Sequence, residues 1–222
     1  HAFTLPNGLR YAINVDRSSP SIAFTVGCVG GVTEEPADKN GVFNVLSRML
    51  LKGTKDKDAA AIAREIDLLA GELTPFSGRN VFGLSGKFLT KDLGQALGLL
   101  RDCLSASVIK EGELESVKRE VLSAIRQRDD SPVSYTFRRF NETIFEGHPY
   151  SRDPMGTEAH VERLRADDLR EIYRSHVKPS SLVLAFSGDV NEGEVRRLMS
   201  ELFSPWEGPG VPLTKRALPE PQ

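Results

Sequence analysis

A chain of 222 residues, 39% of them apolar and 27% charged, has the balance of a folded globular protein rather than a disordered one. Its formal charge of -2 removes any electrostatic reason to expect nucleic acid or an anionic membrane surface as partner. No apolar run approaches the ~20 residues needed to cross a bilayer, so no membrane span is expected. The start, His1-Ala2-Phe3-Thr4-Leu5-Pro6, turns at once and does not read as a secretory leader. It lacks an initiator Met, as a processed protein or an excised piece would. The compartment stays open, with bacterial periplasm or cytoplasm as the expectation.

In chain order, segments 3–5 and 9–15 flank Pro6-Asn7-Gly8, an Asn-Gly turn that predicts a hairpin. Residues 21–29 form a third strand, in which Ile22, Phe24, Val26 and Cys28 alternate onto one face. After Gly30-Gly31, helices are predicted over 40–52 and 58–70, the second with Gly71 as its C-cap. Strands 72–76 and 81–89 then pair across Ser77-Gly78-Arg79-Asn80, with Phe82, Leu84, Gly86 and Phe88 lining one face. Helices follow at about 91–106 and 111–128, the latter with a thin apolar stripe. Asp129-Asp130-Ser131-Pro132 breaks the pattern before a helix over 134–145, and Gly147-His148-Pro149-Tyr150 opens a loop to Gly156-Thr157. A helix over 165–176, a buried strand over 182–186 and a helix over 192–203 complete the order. Residues 1–204 read as one domain and 205–222 as a Pro-rich linker. This is an α+β layout, a mainly antiparallel sheet covered by helices.

The segment 41–54 is the most informative. It reads as an amphipathic helix running into Lys52-Gly53-Thr54, with Asn44, Ser47 and Arg48 on one side. Two histidines and a glutamate at that spacing would make a zinc site with its general base. Here an amide, a hydroxyl and a permanent cation stand instead.

The ordered landmarks of the chain resemble the N-terminal-type domain of the pitrilysin (insulinase) family of zinc peptidases, which includes mitochondrial processing peptidase. They are Leu5-Pro6-Asn7-Gly8-Leu9-Arg10, Gly30-Gly31 with Glu34 or Glu35, and Gly41 to Met49 with Lys52-Gly53-Thr54. Then come Asp129-Asp130-Ser131-Pro132, His148-Pro149-Tyr150 with Gly156-Thr157, and Gly188-Asp189-Val190. The resemblance implies an α/β sandwich in which domains of this kind enclose a chamber around a peptide. It also implies a zinc motif H-x-x-E-H at Asn44, Ser47 and Arg48, a third ligand at Ala124 and a supporting glutamate at Val117. All five positions depart from that pattern. Asn is a poor zinc ligand, Ala124 and Val117 offer nothing, Arg48 repels a cation, and Ser47 is no base at neutral pH. No catalytic residue and no metal ligand are therefore expected, and no cofactor in this chain although the family uses zinc.

The resemblance points to a non-catalytic domain that partners an active zinc-peptidase domain or subunit and helps to hold a peptide substrate. Glu72, Leu73, Thr74, Pro75 and Phe76 are the candidate strand edge for that peptide. The alternative is a scaffold subunit with no proteolytic role, like the family's respiratory-chain relatives. Simpler readings stand beside these. Without the landmarks, Asn44, Ser47 and Arg48 are a solvated helix face; with them, Arg48 is expected to meet a carboxylate. His148 belongs to a structural turn over Tyr150, Glu34 and Glu35 are loop charges, and Trp206 caps the last helix. Gly83 and Gly86 mark a strand lying close to its neighbour. Cys28 and Cys103 are expected as buried small apolar groups, with a disulfide as the alternative.

Overall fold

A computed structural model describes residues 1–208. Six strands form one sheet: β1 (Ala2–Thr4), β2 (Arg10–Val15), β3 (Ser21–Val29), β4 (Glu72–Ser77), β5 (Val81–Leu89) and β6 (Leu182–Gly188). Their order across the sheet is β1-β2-β6-β3-β5-β4, so the late strand β6 inserts between β2 and β3. It runs parallel to β2, and every other pairing is antiparallel. Most of the linker expected over 205–222 lies outside the described residues.

Period-two alternation decides which face is covered. Ile22, Phe24, Val26 and Cys28 are buried, as are Phe82, Leu84 and Phe88 of β5 and Leu182, Leu184 and Phe186 of β6. Their neighbours Ala23, Thr25, Lys87, Val183 and Ala185 face solvent. The helices thus lie on one side only: α1 (Val42–Met49), α2 (Ala59–Leu68), α3 (Leu93–Ser105), α4 (Glu111–Asp129), α5 (Pro132–Ile144), α6 (Glu158–Arg163), α7 (Ala166–His176) and α8 (Glu192–Phe203). Close strand packing is visible at Gly83, where an added Cβ would stand 1.9 Å from the Val26 carbonyl oxygen.

The turns follow their chemistry. Gly8 takes φ +86° in the first hairpin, and the Asn7 amide donates to the carbonyls of Phe203 (2.7 Å) and Trp206 (2.8 Å), tying that hairpin to the end of α8. Ser131 caps α5, with Pro132 at its first position. Two expectations need correction. At the end of α2 the left-handed residue is Ala70 (φ 45°), not Gly71, whose N–H closes the turn onto the Ile66 carbonyl at 3.3 Å. Gly71 is needed instead because a Cβ there would meet the Phe88 ring at 2.1 Å. Helix α6 was absent from the expected elements; Thr157 caps it, its hydroxyl accepting from the His160 N–H at 3.3 Å.

Helix α5 carries its apolar residues outward. Val133, Phe137, Phe140 and Ile144, at 67%, 64%, 56% and 45% exposure, form one stripe at helical spacing. Ser134, Arg138, Asn141 and Phe145 take the more covered side. Among the described residues no helix is long and apolar enough to cross a membrane.

Candidate functional site

Helix α1 is the centre of the domain. It packs on β4 and β5 and against α4 and α7. It begins at Val42 rather than residue 40, because Gly41 sits at φ +94° and cannot be helical. A Cβ on Gly41 would lie 2.7 Å from the Met155 carbonyl oxygen, so the loop before α6 presses against this helix start.

A carboxylate organises that start. Both oxygens of Glu35 accept hydrogen bonds, from the Asn40 amide at 2.7 Å and the Gly41 N–H at 3.0 Å. Asn40 also donates to the Asp153 carbonyl at 2.9 Å, and Arg152 donates to the carbonyls of Glu35 and Val32, both at 3.1 Å. Glu35 is therefore not a loop charge: it is buried, and burial lifts its carboxyl above the usual range against the pull of these donors. The signal was the double glycine followed by an acid just ahead of a helix N-terminus that has no capping side chain of its own.

The mapped zinc positions lie along α1 and α4. Asn44 and Ser47 are buried, at 7% and 1% exposure, so the reading of a solvated helix face is overturned. The pattern misled because α1 has neighbours on nearly every side, so that of these three polar residues only Arg48 keeps partial exposure. The Ser47 hydroxyl donates to the Asn44 carbonyl within the helix at 2.8 Å. Arg48 Nε approaches Asn44 Oδ1 at 3.5 Å, the limit of a hydrogen bond, and the Asn44 amide nitrogen is buried without a partner. Among the described ion pairs none involves Arg48, so its expected carboxylate partner is not found. Val117 is fully buried and Ala124 half-buried on α4.

This donor set does not fit zinc. Amide and guanidinium N–H groups present positive charge where a metal needs lone pairs, and two of the five positions are aliphatic. Among the described residues no three His, Cys, Asp or Glu side chains come together in a group that could hold a metal ion.

The other candidates have structural settings. His148 Nδ1 accepts from the Tyr150 N–H at 3.0 Å, and Tyr150 bonds the Asn80 side chain through its hydroxyl at 2.8 Å. Arg79 lies over the rings of Phe145 (5.3 Å) and Tyr150 (5.0 Å). Trp206 follows α8 and packs on the core. Cys28 and Cys103 are both free and buried, and burial pushes the Cys103 thiol up to about 12. His176, not singled out in the sequence, meets Phe43 of α1 edge-on at 5.0 Å, and burial lowers its pKa.

The candidate peptide strand, Glu72 to Phe76, lies in β4, one of the two edge strands of the sheet, with β1 at the other edge. Leu73 is buried and the others are open or half-open. Pro75 lacks an N–H, which an edge strand tolerates. A cleft of about 320 Å³ lies beside it, between α1 and α2, and Arg48 lines it. The flanking Lys52 and Glu120 are paired with each other at 3.0 Å.

Two family models match the chain. One, described as insulinase (peptidase family M16), covers residues 11–158; the other, described as the peptidase M16 inactive domain, covers residues 163–222. An uncharacterized zinc protease of Streptomyces coelicolor is 30% identical over 200 residues, 90% of this chain and 44% of that protein. Cytochrome b-c1 complex subunit 1 of Bos taurus is 28% identical over 204 residues, 92% of this chain and 42% of that protein. The solved first half of the periplasmic protease PqqL from Escherichia coli superposes with a TM-score of 0.91 at 16% identity. It is covered to 48% by 99% of this chain, a likeness of fold alone. The chain thus spans less than half the length of these curated relatives.

Proposed function

The chain belongs to the insulinase family of peptidases (family M16), and from that premise we propose that it is a domain without catalysis of its own, which helps an active metallopeptidase domain or subunit enclose a peptide. The observation that carries this is the composition of the mapped metal site, Asn44, Ser47, Arg48, Val117 and Ala124, where no residue offers a zinc lone pair of useful strength and one brings a fixed positive charge. Residues 1–204 are read as that domain.

A domain of this kind contributes surface. The open edge of β4, from Glu72 to Phe76, can pair with an extended peptide through backbone hydrogen bonds, with the neighbouring cleft taking a side chain. The outward stripe of α5 supports assembly, since Val133, Phe137, Phe140 and Ile144 form an apolar strip of the kind that an interface covers.

Calorimetric titration of zinc into the metal-free chain tests the reading. No binding is expected. A variant carrying Asn44→His, Ser47→Glu, Arg48→His, Val117→Glu and Ala124→Glu together should gain stoichiometric zinc if the positions are rightly mapped. Tight zinc binding by the unaltered chain would overturn the proposal. The likeness to cytochrome b-c1 complex subunit 1 favours a second reading, a scaffold subunit. Peptide binding at β4 separates the two, because a scaffold has no need of it.

A further inference from the structure

Among the positions that cannot hold a cation, Arg48 is placed to hold an anion. The Asn44 amide nitrogen is a buried donor with no acceptor. One turn on, Arg48 Nε has only a 3.5 Å approach to Asn44 Oδ1, and no described carboxylate is within ion-pair distance of its guanidinium. Arg48 opens onto the cleft between α1 and α2, whose walls are Leu51, Ile62, Ile66 and Pro75. The remaining charges there, Lys52 and Glu120, neutralise one another. The cleft therefore holds one surplus positive charge, a planar fork of N–H donors, apolar walls, and a border on the edge strand β4, which pairs with β5 on one side only.

We propose that this cleft binds a carboxylate bearing an apolar substituent, the chemistry that a peptide presents at a C-terminus whose last residue is apolar. The carboxylate takes the guanidinium of Arg48 as a two-pronged partner, and the last side chain lies against Ile62, Ile66 and Pro75. A small apolar pocket with a few convergent donors is the usual form of such a site. The inference rests on the reading that β4 receives a peptide, and it turns the vacated metal position into a docking point for the end of the chain.

The test uses the full 222-residue chain. Binding of acetyl-Ala-Leu-Leu as the free acid, of its C-terminal amide, and of the amide with an internal Glu is measured by calorimetry, with acetyl-leucine as a probe too short to pair with β4. The free acid is expected to bind about tenfold more tightly than the amide, as a hydrogen bond to a charged group allows, and added salt should reduce the difference. Arg48→Gln should abolish that ratio while thermal unfolding stays unchanged, and Arg48→Lys should keep part of it. Equal affinity of acid and amide, or a ratio that survives Arg48→Gln, overturns the proposal. Stronger binding of the internal-Glu amide than of the free acid also overturns the C-terminal assignment. If acetyl-leucine shows the full Arg48 dependence and the longer peptide gains nothing, the cleft stands and the β4 reading fails.

Discussion

Helices α1 and α5 are opposite answers to the same pattern. Each mixes apolar and polar residues at helical spacing, and each pattern alone predicts an apolar side turned inward and a polar side turned to water. In α1 the polar residues Asn44 and Ser47 are buried along with Val42, Phe43, Val45, Leu46 and Met49. In α5 no residue is fully buried, and the apolar stripe is the part most open to solvent. The period of a pattern says which residues share a side; only the neighbours decide which side is covered. This chain itself surrounds α1, whereas the described residues leave the stripe of α5 uncovered.

The sharpest way to break that contrast is to truncate aromatic rings in each helix, one in α1 and two in α5. Phe43 is fully buried, with its ring 4.9 Å from Phe82 and 5.0 Å from His176. Phe43→Ala should cost about 3–5 kcal/mol in urea denaturation, through lost burial and the cavity left behind. His176 adds a pH signature on the same ring. Its pKa is lowered in the folded state, so the stability it contributes is present above about pH 6.5 and is lost as the pH falls through the lowered value. A His176→Gln variant should lose that acid-side slope, and an unchanged slope would place its cause elsewhere.

The start of α1 offers the next largest effect. Glu35→Gln leaves one acceptor where two are used and should destabilise by about 1–3 kcal/mol. The sign with pH is opposite to that of His176. Because burial raises the Glu35 pKa, the stability tied to its neutral form is present below the usual carboxylate range and is lost as the pH rises through the raised value. The gap between the original chain and Glu35→Gln should be widest at about pH 4 and narrow toward neutrality. A gap that widens instead would mean that the ionised carboxylate is the favoured form at the helix N-terminus.

Much of the fold was open to reading because its elements announce themselves locally. The Asn7-Gly8 hairpin, the alternation from Ile22 to Cys28 and the β4–β5 pair appear as expected. What escaped were relations between distant segments. Nothing near residues 182–188 says that β6 enters between β2 and β3, and nothing near Glu35 says that Asp153 and Arg152 lie beside it. Some of the landmarks that carry the family resemblance do converge: the segment after the double glycine, Gly41, and the loop from His148 to Gly156 meet around the start of α1. At the candidate site, the poor fit of Asn44, Ser47, Arg48, Val117 and Ala124 to a zinc ligand set is a matter of residue type and so is legible in the sequence. The cleft beside Arg48 could not, because Ile62, Pro75 and Glu120 come from three separate elements.

Asn44 tests whether the buried polar residues of α1 serve folding. Its amide nitrogen lies buried without a partner, a state that costs free energy, and Asn is a poorer helix former than Ala. Asn44→Ala should therefore raise stability by about 1 kcal/mol, the reverse of Phe43→Ala on the neighbouring position. A gain in stability with weaker binding of the free-acid peptide would mark Asn44 as kept for a ligand. A loss of stability would instead show that the amide contributes to folding.

The smallest effect is expected on α5, and its smallness is the point. Phe137 and Phe140 lie on a face that no described residue covers, so Phe137→Ser together with Phe140→Ser should change the unfolding free energy of this chain by no more than about 0.5 kcal/mol. The same double variant should bind less of an apolar dye and should weaken any association with an active metallopeptidase partner, because the stripe is then interrupted at its centre. The two readouts must separate: stability unmoved, association reduced. A loss of several kcal/mol in the isolated chain would mean that α5 is covered from within, and the contrast with α1 would collapse. Unchanged association would leave the contrast in burial intact and move the assembly surface to another part of the domain.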